Sequence, residues 1–180
     1  QLGELLHRTA RVRATFHDGR EELSSRPYPG GGALYELELY PLVERCDGLA
    51  PGLYHYDARE HRLGLVSAPT PATRLLAEYG RRTGIMETPP QVLLLVTARF
   101  GRVTWKYESM AYALVLKHVG VLYQSLYLAA TAMGLAPCAL GGGNSDAFAR
   151  ASGIPYEQET TVGEFMLGSL SPGASASDTD

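Results

Sequence analysis

Residues 106–133, KYESMAYALVLKHVGVLYQSLYLAATAM, constrain the fold more than any other part of the chain. A helix of this sequence is apolar around most of its circumference, which is the pattern of a helix enclosed by the rest of a protein. Lys117, His118 and Gln124 interrupt the run, so it lacks the roughly 18 unbroken apolar residues of a membrane span. The reading is a long helix buried at the centre of one domain, with Lys117 and His118 marking its exposed stripe. Gln124 lies deep in it, and an unpaired amide there would cost on the order of 1–3 kcal/mol. It therefore requires a partner, either a backbone carbonyl or the polar edge of a bound ring.

The flanking segments supply what could enclose such a helix. A chain of 180 residues is long enough to bury roughly two thirds of its unfolded surface in a single core. Residues 2–16 have a helical rhythm that Asp18 and Gly19 break. SSRPYPGGGALYE (24–36) is an irregular loop, and ELELYPLV (36–43) alternates like a strand. GLYHYDAREHRLGLV (52–66) reads as a hairpin turning at 58–60, and 70–82 as a helix begun by Pro71 and stopped by Gly84. The apolar run 89–100 is the best candidate for a central buried strand. A short strand at 134–143, a helix opening at Asn144 or Ser145, and a final strand at 160–170 complete the order. Strands and helices do not alternate regularly, so the fold class is α+β, with an antiparallel-rich sheet around the long helix. Residues 1–170 are expected to form the domain and 171–180 a flexible tail.

Charge and cysteine usage exclude several classes of function. A formal net charge of -3 and pI near 6.0 lack the Lys and Arg surplus of a nucleic-acid binder. Arg8, Arg11 and Arg13 form the one basic cluster, either a solvated helix face or a contact for an anionic cofactor. Cys46 and Cys138 read as buried free thiols in a reducing cytoplasm. His7, His17, His55, His61 and His118 are too scattered for a zinc site. No signal peptide opens the chain. Its first residue is Gln1 rather than Met, which points to an excised piece with sequence upstream.

Two glycine loops, Gly30–Gly32 and Gly141–Gly143, are followed by neither GxGxxG nor GKS/T, so Rossmann and triphosphate cofactors are not indicated. Each loop reads alone as a tight turn or as backbone that approaches a cofactor. The second precedes a helix whose free N–H groups could receive an anion or an electron-rich ring edge. Lys106 and Tyr107 fall at the expected start of the long helix. The positive helix end and partial burial would there lower the lysine pKa and make it a usable general base. The alternative is a surface lysine and a packed tyrosine.

Taken together, RPYPGGGALYELELY, DGLAPGLYHYD, WKYESMAYALVLKHVGVLYQSLYLAATAMGLAPCALGGGNSD and VGEFMLGS resemble the successive blocks of the SagB-type dehydrogenases. These are the branch of the nitroreductase superfamily that includes thiazoline and oxazoline oxidases of azole-peptide pathways. The resemblance runs from about Leu2 to Ser169. It implies a nitroreductase-like fold, tightly held FMN, and a homodimer with the flavin at the subunit interface. It further implies flavin contacts from Pro29, Gly30, Gly31, Gly32 and Ala33 and from Leu140, Gly141, Gly142 and Gly143. Lys106 and Tyr107 match the family's catalytic pair, and Gln124 is a candidate for a ring edge.

The pattern departs from the family at Gly30 and Gly142, where serines are usual, and at Glu36, where proline is usual. The Arg-Arg-Ser type segment that helps bind the FMN phosphate is not among these residues. Arg8, Arg11, Arg13 or Arg26 are candidates to take over that charge, or the segment lies upstream together with a peptide-recognition module. The implied activity is oxidation of an azoline to an azole in a peptide or carrier-bound substrate, with the flavin reoxidised by oxygen and a cyclodehydratase as a possible partner. A NAD(P)H-dependent nitro- or quinone reductase and a flavin-free scaffold subunit are the alternatives.

Overall fold

A computed structural model describes residues 1–19 and 22–170; the tail expected at 171–180 lies outside them. In chain order the elements are α1 (Leu2–Ala10), β1 (Ala14–His17), β2 (Glu22–Ser25), β3 (Leu37–Val43), β4 (Gly52–Asp57), β5 (Arg62–Ser67) and α2 (Pro71–Thr83). After these come β6 (Val92–Ala98), α3 (Gly101–Tyr107), α4 (Ala111–Ala132), β7 (Leu135–Leu140), α5 (Ser145–Ser152) and β8 (Thr160–Ser169). Six strands form one antiparallel sheet in the order β5-β4-β3-β6-β8-β7, and β1 pairs with β2 in a separate ribbon.

Two helical layers cover the sheet. Leu37, Leu39, Leu94 and Val96 pack with Leu5 and Leu6 of α1 and with Val115, Leu122 and Leu126 of α4. On the opposite face Tyr40, Leu42, Leu93 and Leu95 pack with Leu76 of α2 and Phe148 of α5. The α+β expectation holds, as does the central place of the 89–100 run, since every residue of β6 is buried. The strand read at 36–43 forms as β3. β3 pairs with both β4 and β6 and is buried along its whole length, because both faces carry helices.

Three local readings change. The first helix stops at Ala10, where Arg11 turns extended (φ -59°, ψ 154°); residues 14–17 join 22–25 as a strand, which suits their β-branched and aromatic content. The long helix is two helices. Glu108 takes φ 45°, a conformation that costs any residue with a Cβ, and a single 3-10 turn at 108–110 separates α3 from α4. Cys46 and Cys138 are free but not buried: Cys46 is half-buried and Cys138 exposed on the edge strand β7.

α4 is also less enclosed than its composition suggests. Its buried stripe runs Ala111, Val115, His118, Leu122, Leu126 and Ala130, while Tyr112 and Leu128 are 62% and 65% exposed. Among the described residues the helical stretch 101–132 is long and apolar enough to cross a membrane by length and composition, yet the stripe that it buries lies on the sheet as a core helix's does. Leu122→Ala is expected to cost about 2–5 kcal/mol of stability. Leu128→Ala on the open face should change it by less than about 0.5 kcal/mol; denaturant unfolding of the two variants measures the difference.

Candidate active site

The first glycine loop is held by a buried histidine. Residues Gly31–Ala33 form one 3-10 turn with Gly32 at φ 63°, and Ala33 and Tyr35 also take positive φ. The Gly31 N–H donates to His118 Nε2 at 2.8 Å, and His118 Nδ1 lies 2.7 Å from Glu36 Oε1. Because Nε2 accepts, the imidazole proton sits on Nδ1 and is donated to Glu36. Both side chains are enclosed, at 6% and 0% exposure. A Cβ at Gly31 would come within 3.1 Å of both His118 Nε2 and Leu114 Cδ2, so any side chain there would have to press the imidazole or Leu114 aside. Tyr35 secures the loop's other side: its hydroxyl donates to the Tyr28 carbonyl and accepts the Arg26 N–H. Gly30 lies against the Tyr35 ring, and Pro29 is exposed.

Lys106 and Tyr107 meet this loop at Gly32. A Cβ added there would stand 2.9 Å from the Tyr107 hydroxyl and 3.1 Å from Lys106 Nζ, so the amine and the phenol flank the same turn. They reach it from the last turn of α3 rather than from the start of the long helix. The expected positive helix end is therefore not what surrounds them. Lys106 is exposed, with its ammonium 5.7 Å from the centre of the Trp105 ring, and Tyr107 is half-buried.

The second glycine loop opens into a different cavity. A volume of about 660 Å³ lies between α4, the end of β7 and the start of β8, lined by Tyr112, Leu116, Gly141, Gly142, Gly143 and Glu164 among others. That size is ordinary for a small-molecule site. None of residues 29–33, Lys106 or Tyr107 lines it. Leu140, the last residue of β7, also borders the cavity and is buried. The α5 N-terminus behind the loop is partly satisfied by its own side chains: Asn144 Oδ1 accepts the Ala147 N–H, and Ser145 Oγ pairs with Thr161 Oγ1. It is thus a weaker anion receptor than an uncapped helix end.

Two of the residues that line this cavity each hold a buried polar atom without a partner among the described residues: Thr160 Oγ1 and Glu164 Oε2. Glu164 is 1% exposed, and burial pushes its carboxyl up to about 7, opposed by the Asn144 N–H that donates to Oε1.

Arg26 stands beside the first loop, against Tyr35, and Gln124 falls outside both places. The Arg26 guanidinium stands 5.1 Å from the centre of the Tyr35 ring, with Nε buried and unpartnered. It lines a third space of about 480 Å³ with Arg99, Arg102, Glu38 and His55. Of the other candidate phosphate ligands, Arg8 is paired with Glu4, and Arg11 donates to the His7 carbonyl. Gln124 is exposed; it needs no internal partner because that face of α4 is open.

Sequence reasoning placed His118 on an exposed stripe and gave Glu36 and Glu164 no role. The signal for His118 was available, since its spacing from Val115 and Leu122 puts it in the buried stripe. For Glu164 the signal was a lone charge inside the apolar strand TTVGEFMLGS.

The sequence profile of the nitroreductase family matches residues 1–169. The chain belongs to the nitroreductase family. It is 27% identical over 121 residues to a nitroreductase-like protein of Methanocaldococcus jannaschii, covering 67% of this chain and 60% of that protein. Identity to the trifolitoxin-processing protein of Rhizobium leguminosarum bv. trifolii is 29% over 110 residues, or 59% of this chain and 30% of the relative. The microcin B17-processing protein of Escherichia coli is 30% identical over 117 residues, with shares of 61% and 42%. This nitroreductase-family chain therefore spans less than two thirds of each of these relatives.

Among solved structures, a nitroreductase-like protein of Anabaena variabilis superposes with a TM-score of 0.80 at 26% identity, covering 96% of this chain and 36% of the other. A chain of the Escherichia coli microcin synthetase complex with truncated pro-microcin bound gives 0.75 at 22% identity, covering 95% and 63%; at that identity the likeness shows the fold alone. Together they establish the nitroreductase-like fold.

Two outcomes follow from the site's geometry. His118→Leu removes the acceptor of the Gly31 N–H and leaves Glu36 unpaired, which should cost about 1–3 kcal/mol or more in denaturant unfolding. For Glu164, burial lifts the carboxyl from the ordinary 4.5 to about 7 in the folded state, so the folded state holds the extra proton between those values. Stability of the ligand-free protein should accordingly fall as pH rises from about 4.5 to 7. Thermal unfolding of wild type and Glu164→Gln across that window checks this, because the variant should lack that component of the slope.

Proposed function

We propose that this chain is the FMN-binding catalytic domain of an azoline dehydrogenase, converting thiazoline or oxazoline rings of a peptide or carrier-bound substrate to azoles. The observation that carries this reading is the meeting of the Lys106 amine and the Tyr107 phenol at Gly32, in a chain similar to the trifolitoxin- and microcin B17-processing proteins.

The residues present fit the ring portion of FMN. The cavity at Gly141–Gly143 offers backbone approach from one side, the aromatic and apolar wall of Tyr112, Leu116 and Tyr123 from another, and two lining residues, Thr160 and Glu164, that each hold an unpartnered polar atom. Leu140 and Gly141–Gly143 would hold the ring there. No Lys, Arg or His lines that cavity among the described residues, so the phosphate needs cations from Arg26, from a second copy, or from chain beyond these residues.

A homodimer resolves the separation of the two glycine loops. A second copy on the open face of α4 would cover Tyr112, Leu116 and Leu128 and would give Gln124 a partner. Pro29, Gly30, Gly31, Gly32 and Ala33 of one copy would then serve the cavity of the other. An apolar exposed stripe of this kind is the usual mark of an interaction surface. A cyclodehydratase partner and a cytoplasmic setting, in which Cys46 and Cys138 stay reduced, belong to the same reading.

Aromatising an azoline removes two electrons and two protons. Bound FMN supplies the two-electron acceptor. Lys106, or Tyr107 beside it, removes the ring proton next to the C=N bond, and the turn at Gly32 fixes both groups against the substrate. The nitroreductase-like relative supports a second reading, a NAD(P)H-dependent nitro- or quinone reductase; consumption of that nucleotide with a nitroaromatic distinguishes it.

Lys106→Ala should retain bound FMN, seen as visible flavin absorbance, and lose azole formation by about 10²–10⁴-fold. Mass spectrometry for the loss of two hydrogens from an azoline peptide reads the rate. Full turnover in the variant removes the lysine from the mechanism, and colourless wild-type protein favours the scaffold alternative.

A further inference from the structure

Glu164 occupies a position that has no use for a structural carboxylate. It lies on β8 between Leu95 of β6 and Leu140 of β7, both apolar. α5 presents Asn144, whose N–H reaches Oε1 at 3.3 Å, and Ser145, which pairs with Thr161 instead. α4 presents Tyr123, whose hydroxyl donates to the Glu164 backbone carbonyl rather than to its side chain. The other titratable groups around the cavity are Tyr112, Tyr156 and Glu157. None of these can bring a positive charge to the carboxyl.

The surrounding backbone is shaped to this side chain. A Cβ at Gly143 would stand 2.8 Å from Glu164 Oε1, so the glycine loop closes onto the carboxyl and the two form one wall. Oε1 is spent on the Asn144 N–H, whereas Oε2 is left without a partner, as is Thr160 Oγ1 on the same wall. A neutral carboxyl carries one O–H donor, and an orphaned buried polar group is worth retaining where a ligand completes it.

We propose that Glu164 is the cavity's proton-bearing donor: its Oε2–H binds an acceptor atom, a carbonyl oxygen or an unprotonated ring nitrogen, on the edge of a heteroaromatic ligand, with Thr160 Oγ1 as a second contact. The proposal rests on the reading of this cavity as the FMN ring site and names the residue that reads the ring's edge. Ligand uptake then fixes a proton on Glu164, and ionisation of the carboxyl opposes binding. An ionised oxygen would face the ligand's acceptor with a like partial charge, and the one hydrogen bond would become a repulsion.

The test uses the intact protein, with FMN and then riboflavin as probes, titrated by flavin fluorescence from pH 6 to 9. Riboflavin lacks the phosphate, whose own titration near pH 6 would otherwise overlap. Wild-type affinity should be level at the acid end and weaken about tenfold per pH unit above about 7. Glu164→Gln, which keeps a neutral donor, should bind with the wild-type acid-limit affinity and show no such fall. An equal fall in both proteins overturns the role of Glu164 while leaving the cavity as the flavin site. Binding of neither probe to wild type at any pH overturns the cavity reading and the proposal with it. If the variant does not fold, the wild-type riboflavin profile decides alone: a level profile to pH 9 rejects the proposal, and a tenfold-per-unit fall sustains it.

Discussion

The pair of hydrogen bonds through His118 joins the parts of this protein to which the proposed chemistry is assigned. Glu36 stands one residue before β3, where its carbonyl also accepts the Arg99 N–H across from β6, so its carboxylate has a fixed place at the end of an interior strand. That carboxylate orients the imidazole, the imidazole holds the Gly31 N–H, and the turn that follows brings Gly32 to Lys106 and Tyr107. A loop with positive φ at Gly32, Ala33 and Tyr35, the last two carrying a Cβ, keeps one conformation only when its surroundings over-determine it. A buried, charge-assisted histidine is a strong enough restraint to do so.

The sheet performs a second task at its β7 edge. β6, β8 and β7 run side by side, and their register sets Glu164 opposite Leu140 just before the Gly141–Gly143 turn. The same antiparallel pairing that buries β6 thus builds a cavity wall from strand ends, with α4 as the facing wall. One helix serves both places: His118 on its buried stripe anchors the first glycine loop, while Tyr112 and Leu116 border the cavity at the second. The two glycine loops are therefore coupled through α4 even though they do not share a space within one chain.

Much of the architecture was legible because it depends on local rules. Thr70 caps α2 and Pro71 opens it as its fixed φ suits, Asn144 caps α5 through its side chain, and the β-branched run before Ala98 forms the central strand. Errors arose where a neighbour distant in sequence decides the outcome. Apolarity on all sides of residues 106–133 suggested full burial, but composition cannot say whether an apolar face is covered by the same chain. Gln124 was read as buried for that reason. Lys106 and Tyr107 were assigned to the wrong end of a helix because Glu108, which no propensity marks as a breaker, turns the backbone to positive φ between α3 and α4.

By itself, the amino-acid sequence determined the order and type of the principal elements, the two glycine turns, and the nearness of an amine and a phenol in adjacent residues. These follow from spacing, capping and backbone freedom, which act over a few residues. Tertiary structure alone decided that His118 faces inward to grip Gly31, that Glu164 is stranded without a cation, and that the two glycine loops open into separate spaces. Each of those depends on which residues meet across the sheet and α4. Such meetings are set by the packing of elements tens of residues apart, a relation that no local pattern encodes.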